Sequence, residues 1–172
     1  MSYVQSASGG TSVFDPPISS YPVSFAANTL IGTSLVIDVL WQTTHASGTI
    51  ALSDSAGNTY VQIFQREYTT SGLYAESWIA VDGNGGANTV TATYTGSGSI
   101  THISMAIHEY ANVVAASPVD DYDSSPWDAT ITRSVTQTIT RTMSNEILHA
   151  WGCVNVGVIA VFITPPAGFD VR

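Results

Sequence analysis

The chain has 172 residues, 44% of them hydrophobic and only 10% charged, where an average soluble domain carries about 25% charged residues. Its cations are Arg66, Arg133, Arg141 and Arg172, set against thirteen acids for a formal net charge of −9. That balance repels phosphate backbones and anionic lipid, so neither nucleic acid nor a membrane is an expected partner, and no apolar run approaches the ~20 residues that span a bilayer.

Length suits one domain able to bury a core. Its polarity comes from Ser, Thr, Asn and Gly, without the lysines that usually blunt exposed strand edges. The single cysteine, Cys153, has no internal disulfide partner and sits in an apolar stretch as a small hydrophobe. Met1–Gln5 carries no basic segment followed by an apolar one. A secretory leader is therefore expected to have been removed, or the protein to leave the cell by another route, such as within a virus particle.

In chain order, Tyr3-Val4-Gln5 and Val13-Phe14 predict two short strands. Pro16-Pro17 interrupts them, and Val23-Ser24-Phe25 resumes. Residues 33–42 place Leu35, Ile37, Val39 and Trp41 on one face, with Val36, Asp38 and Leu40 on the other, as in a buried central strand. A shorter strand, 48–53, leads into the turn Asp54-Ser55-Ala56-Gly57-Asn58, where Gly57 and Asn58 tolerate positive φ. Residues 59–66 alternate Tyr60, Gln62 and Phe64 against Val61 and Ile63. Residues 73–81 group Leu73, Ala75, Ile79 and Val81, leaving Tyr74, Glu76 and Trp78 on the other face. After the glycine-rich loop 82–87, residues 88–95 alternate Val90, Ala92 and Tyr94 against a row of threonines. Residues 102–110 alternate Ile103, Met105 and Ile107 against His102, Ser104 and His108. A long loop is expected over 111–128, then a strand over 130–142 and apolar strands at 145–151 and 156–163, ended by Pro165-Pro166. About ten short strands predict an all-β fold, a two-sheet antiparallel sandwich.

Three stretches carry a family resemblance: Ser53–Tyr60, Gly86–Tyr94, and Ala106–Val113 with Pro118-Val119-Asp120 after it. They resemble jelly-roll-like modules of bacterial surface proteins and phage-associated proteins, over roughly residues 20–170. The resemblance implies a jelly-roll-like sandwich and carries no catalytic residues with it. In that pattern further strands follow a segment like Pro165–Phe169. A sandwich lacking a closing strand would leave backbone groups unpaired, to be completed by a strand from a neighbour. Residues 1–20 are then an N-terminal arm and candidate donor strand, and residues 21–172 the sandwich domain.

The candidate sites are few. The histidines show no metal-ligand spacing: His102 and His108 share a strand face but stand roughly 20 Å apart by strand rise. No nucleophile motif is present, so the chain is read as non-enzymatic. Glu109, on the apolar face of its strand, reads as a hydrogen-bonded structural carboxylate. Nothing in the sequence selects an acid pair from Glu67, Glu76, Glu109 and Glu146. No cofactor is expected beyond calcium, for which Asp120, Asp121 and Asp123 are the candidate ligands and the Asp82–Asn84 loop a weaker one. Tyr74 and Trp78, beside Glu76, are candidate glycan contacts. Tyr3, Val4, Val13 and Phe14 are candidate assembly contacts.

The composition, the absence of a catalytic constellation and the detachable arm predict an extracellular or cell-surface structural subunit. Its expected partners are copies of itself in a fibre or surface assembly. A carbohydrate-binding or adhesive module is the first alternative. A phage fibre or decoration protein, located in the virion, is the second.

Overall fold

The computed structural model describes residues 2–12, 18–43, 48–68, 72–86 and 89–113. These residues form eight strands: β1 (Ser2–Ser12), β2 (Ser20–Ser24), β3 (Ser34–Thr43), β4 (Gly48–Asp54), β5 (Val61–Tyr68), β6 (Leu73–Ala80), β7 (Thr89–Gly96) and β8 (Ile100–Ala111). The expected elements beyond residue 113, the arm residues Val13 and Phe14, and Asp120, Asp121, Asp123, Glu146 and Cys153 lie outside the described residues.

Every ladder is antiparallel. Five strands build one sheet in the order β1-β8-β3-β6-β5, and three build the other in the order β2-β7-β4. Alternation decides what lies between them. Leu35, Ile37, Val39 and Trp41 of β3 and Ile103, Met105 and Ile107 of β8 project from the larger sheet. Val23, Ile50, Val90, Ala92 and Tyr94 meet them from the smaller one. Burying each such aliphatic side chain contributes about 1.5–3 kcal/mol. The chain is an all-β, two-sheet sandwich, as the sequence predicts.

A jelly roll winds one long hairpin, so that first pairs with last and second with next to last. Eight strands wound this way fall as 1-8-3-6 in one sheet and 2-7-4-5 in the other. The observed order keeps that winding for seven strands. β5 departs from it: the strand leaves β4 and pairs with the far side of β6. Among the described strands the smaller sheet therefore ends at β4, and the larger one gains an extra edge.

The opposite face of the larger sheet is also buried at Asp38, Ser77 and Ile79, which accounts for the nearly continuous apolar run of β3. There the Ser77 hydroxyl donates to Asp38 Oδ1 at 2.7 Å, and His108 Nε2 stands 3.9 Å from Asp38 Oδ2.

Two elements differ from the sequence reading. At the N-terminus the strand predicted over Tyr3-Val4-Gln5 runs on to eleven residues, Ser2–Ser12. It passes through Gly9, which lies under β2, where an added Cβ would stand 2.9 Å from the Tyr21 hydroxyl oxygen. The glycine permits close approach and does not end the strand. In β5 the alternation breaks at a bulge between Gln62 and Phe64. One extra residue turns Gln62 and Gln65 to the same face.

An uncovered shelf on β5 and β6 as the candidate functional site

The inner face of β6 carries Tyr74, Glu76 and Trp78. Opposite them on β5 stand Glu67, Gln65 and Gln62, in that order. β2 lies against β1 and β8, so the smaller sheet sits towards the β1 side. Strands are ~4.8 Å apart, so three strands cover about 10 Å of a sheet about 19 Å wide. Among the described strands, the margin left uncovered falls on β5. Its inner-face residues Gln62, Gln65 and Glu67 are exposed, while Trp78 is half-buried and Tyr74 and Glu76 are buried. In a sandwich with β5 in its regular place, this row of β6 would be covered.

Glu76 organises the floor. Trp41 Nε1 donates to its Oε1 at 3.0 Å and Gln65 Nε2 to the same oxygen at 3.2 Å. Trp78 Nε1 donates to Oε2 at 2.9 Å, and the Gln62 side chain adds a further bond. Burial pushes the Glu76 carboxyl above its usual range; these donors pull the other way without cancelling the rise. Beside it, the Tyr74 hydroxyl donates to Glu67 Oε1 at 2.9 Å. Burial, then that bond, push the Tyr74 hydroxyl up to about 12. Trp41 stacks on Tyr74, with ring centroids 4.1 Å apart and planes 9° from parallel.

The structure thus brings Glu67 and Glu76 together on neighbouring strands. Glu76 is 1% exposed, and its oxygens are taken up by N–H donors. It cannot reach a glycosidic oxygen to protonate it, so the two do not form a glycosidase acid pair. What the shelf offers is a half-buried indole pinned by its N–H, next to three exposed hydrogen-bonding side chains.

Glu109 stands elsewhere, on β8, and is fully buried. Its Oε2 accepts from Gln5 Nε2 at 2.7 Å. Its Oε1 accepts from the Leu30 backbone N–H at 2.7 Å and lies 2.7 Å from the Thr33 hydroxyl. This carboxylate fastens β1 and the loop before β3 onto β8, the structural role the sequence suggests.

The Ser53–Tyr60 stretch is a tied turn. Asp54 accepts from the backbone N–H groups of Ala56 and Asn58 and from the Asn58 and Tyr60 side chains. Burial alone would raise the Asp54 carboxyl, but the Tyr60, Asn58 and Ala56 donors outweigh it and hold the carboxyl below its usual range. Asn84 then bonds back to Asn58 and Ala56. The Asp82–Asn84 loop, a weaker calcium candidate, is thereby joined to this turn. Among the described residues no group of three or more His, Cys, Asp or Glu side chains gathers around a point.

Of the remaining candidates, Tyr3 is exposed on β1, its ring 6.2 Å from that of Tyr110. Val4 sits at a register shift of the β1–β8 ladder, which runs from Ser2↔Ala111 to Ser12↔His102. Tyr74 lies under the shelf and Trp78 on it. Sequence reasoning misses Gln62, Gln65 and Trp41. The Gln-x-x-Gln spacing, wrong for a regular strand face, is the signal that could have found the bulge. Comparison with protein families, with characterised proteins and with solved structures finds no match.

Proposed function

We propose that the chain is a non-catalytic adhesive module that works outside the cell and binds glycans on the β5–β6 shelf. The observation that carries this reading is the Trp78 indole, half-buried and anchored to Glu76, beside exposed Gln62, Gln65 and Glu67. A rigid aromatic face takes the C–H face of a sugar ring, and a few placed polar groups take its hydroxyls. Low charge and a hydroxyl-rich surface support an external setting. Trp78→Ala is expected to weaken glycan binding by about 30-fold or more, the loss typical of an aromatic anchor. Titration against an immobilised glycan panel, with the melting point of the variant measured beside it, reads this directly. A folded Trp78→Ala protein with unchanged affinity would sink the proposal.

A second reading, a structural subunit that self-associates into a fibre, surface layer or virion part, is favoured by β1. Its eleven residues include no charge and no proline, and it is an edge among the described strands. Natural edges are normally blunted by lysine or proline. Through that edge, or by exchange of the arm, copies could add strand to sheet. Ser8, exposed on β1, is the place to blunt it. Ser8→Lys is expected to convert any assembly into monomers of 18.1 kDa on size exclusion. Assemblies that persist unchanged in this variant would rule out the β1 edge as the joint.

A further inference from the structure

Building on the glycan reading, on which the inference rests, we infer that the shelf takes a neutral, unbranched oligosaccharide lying lengthwise along β5 and discriminates against chains bearing uronate or sulfate. The reason lies in where the donors point. Gln65 spends its amide nitrogen on Glu76, and Gln62 also bonds to that carboxylate. Glu76 is surrounded by N–H groups, so both glutamines must turn nitrogen inward. Their amide oxygens are left for the solvent side. Glu67 receives Tyr74 on one oxygen and keeps the other. The outward functions of the shelf are therefore acceptors: two amide oxygens and a carboxylate oxygen.

A surface of acceptors pairs with hydroxyl donors. Carboxylate and sulfate groups are acceptors themselves, and among the described residues their charge meets Glu67 with no cation on this face to offset it. Arg66, the one arginine among the described residues, pairs with Ala75 and so belongs to the opposite face of the sheet. The shape of the row sets the orientation. Gln62, Gln65 and Glu67 follow one strand past its bulge and face Trp78, Glu76 and Tyr74, four residue steps of β6 that extend roughly 13 Å. That is the length of a short oligosaccharide, not of a single sugar. Trp78, across from Gln62, supplies the stacking ring at one end.

The test is calorimetric titration of the whole chain with neutral gluco- and manno-oligosaccharides of increasing length, and with oligogalacturonate and heparin fragments of matched length. Neutral chains are expected to gain affinity with length until the row is filled, and acidic chains to bind at least about tenfold more weakly, a difference of one or two hydrogen bonds. Gln62→Lys replaces an acceptor by a cation that Glu76 can hold. It should weaken the neutral chains about fivefold to tenfold, the worth of one bond, and strengthen the galacturonate series. Thr93→Ala, exposed on the smaller sheet, should change nothing.

Acidic chains that bind as tightly as neutral ones, with binding lost in Trp78→Ala, would overturn the inference while the shelf remains a glycan site. A monosaccharide as tight as a longer chain would overturn the lengthwise orientation. No binding by any chain, or binding indifferent to Trp78→Ala, would remove the glycan reading and this inference together.

Discussion

Glu109→Leu is expected to destabilise the fold by about 2–4 kcal/mol, because buried donors left without their acceptor cost about 1–3 kcal/mol each. The leucine fits the apolar face, where Ile107 and Met105 are its strand neighbours. The loss comes from the groups it leaves behind. The Leu30 N–H loses its acceptor, and a buried donor left unpaired costs about 1–3 kcal/mol. Thr33 keeps the Leu30 carbonyl, 2.7 Å from its hydroxyl, and so suffers less. Gln5 keeps only the bond to the Ala27 carbonyl, at 3.2 Å. Glu109→Gln separates chemistry from shape. Its amide oxygen can serve Leu30 and Thr33, and its nitrogen can serve a rotated Gln5, for a loss of about 1 kcal/mol. Urea unfolding followed by tryptophan fluorescence measures both. A leucine variant within about 1 kcal/mol of the parent would mean that Glu109 does not fasten β1 and the loop before β3.

Trp41→Ala should cost about as much or more. The side chain is wholly buried, and truncating a buried tryptophan costs about 3–5 kcal/mol. Here a stacked ring and a donor to a buried carboxylate are lost as well. Trp41→Phe is the more informative change, because it keeps most of the ring and deletes the N–H.

Its effect shows in pH. Glu76 titrates in the folded protein above its ordinary value of 4.5, so the native state holds a proton that the unfolded state has released. Stability from this group is complete below 4.5 and is lost as pH rises through the folded value. Removing the Trp41 donor takes support from the ionised form. The folded value climbs further, and the fall in stability extends to higher pH. Urea midpoints measured on both sides of 4.5 for the parent and Trp41→Phe give the comparison. Parallel profiles would show that Trp41 does not support the Glu76 charge.

Much of this architecture is legible before any coordinates, for a physical reason. Where one strand face is buried, period-two alternation records it. The rows Leu35–Trp41, Val90–Tyr94 and Ile103–Ile107 all lie where alternation places them. Glu109 is legible for the same reason, as an acid among apolar neighbours on one face. The shelf is not. Alternation says that Tyr74, Glu76 and Trp78 share a face but not whether another sheet covers it. That depends on β5 pairing with β6 in place of β4, a non-local choice that no single segment encodes. The bulge at Ile63 then hides Gln65 from any regular pattern. At the N-terminus the length of β1 is hidden for a similar reason, because what Gly9 accommodates, the ring of Tyr21, lies in another strand.

The β1–β8 ladder bears on the order in which the molecule can fold. Ser2 pairs with Ala111, so β1, once synthesised, must wait for β8. At about 5–20 residues per second that wait is on the order of 5–20 s. Throughout it an uncharged eleven-residue segment has no sheet to join, and closing so long a loop adds an entropic toll to the folding barrier.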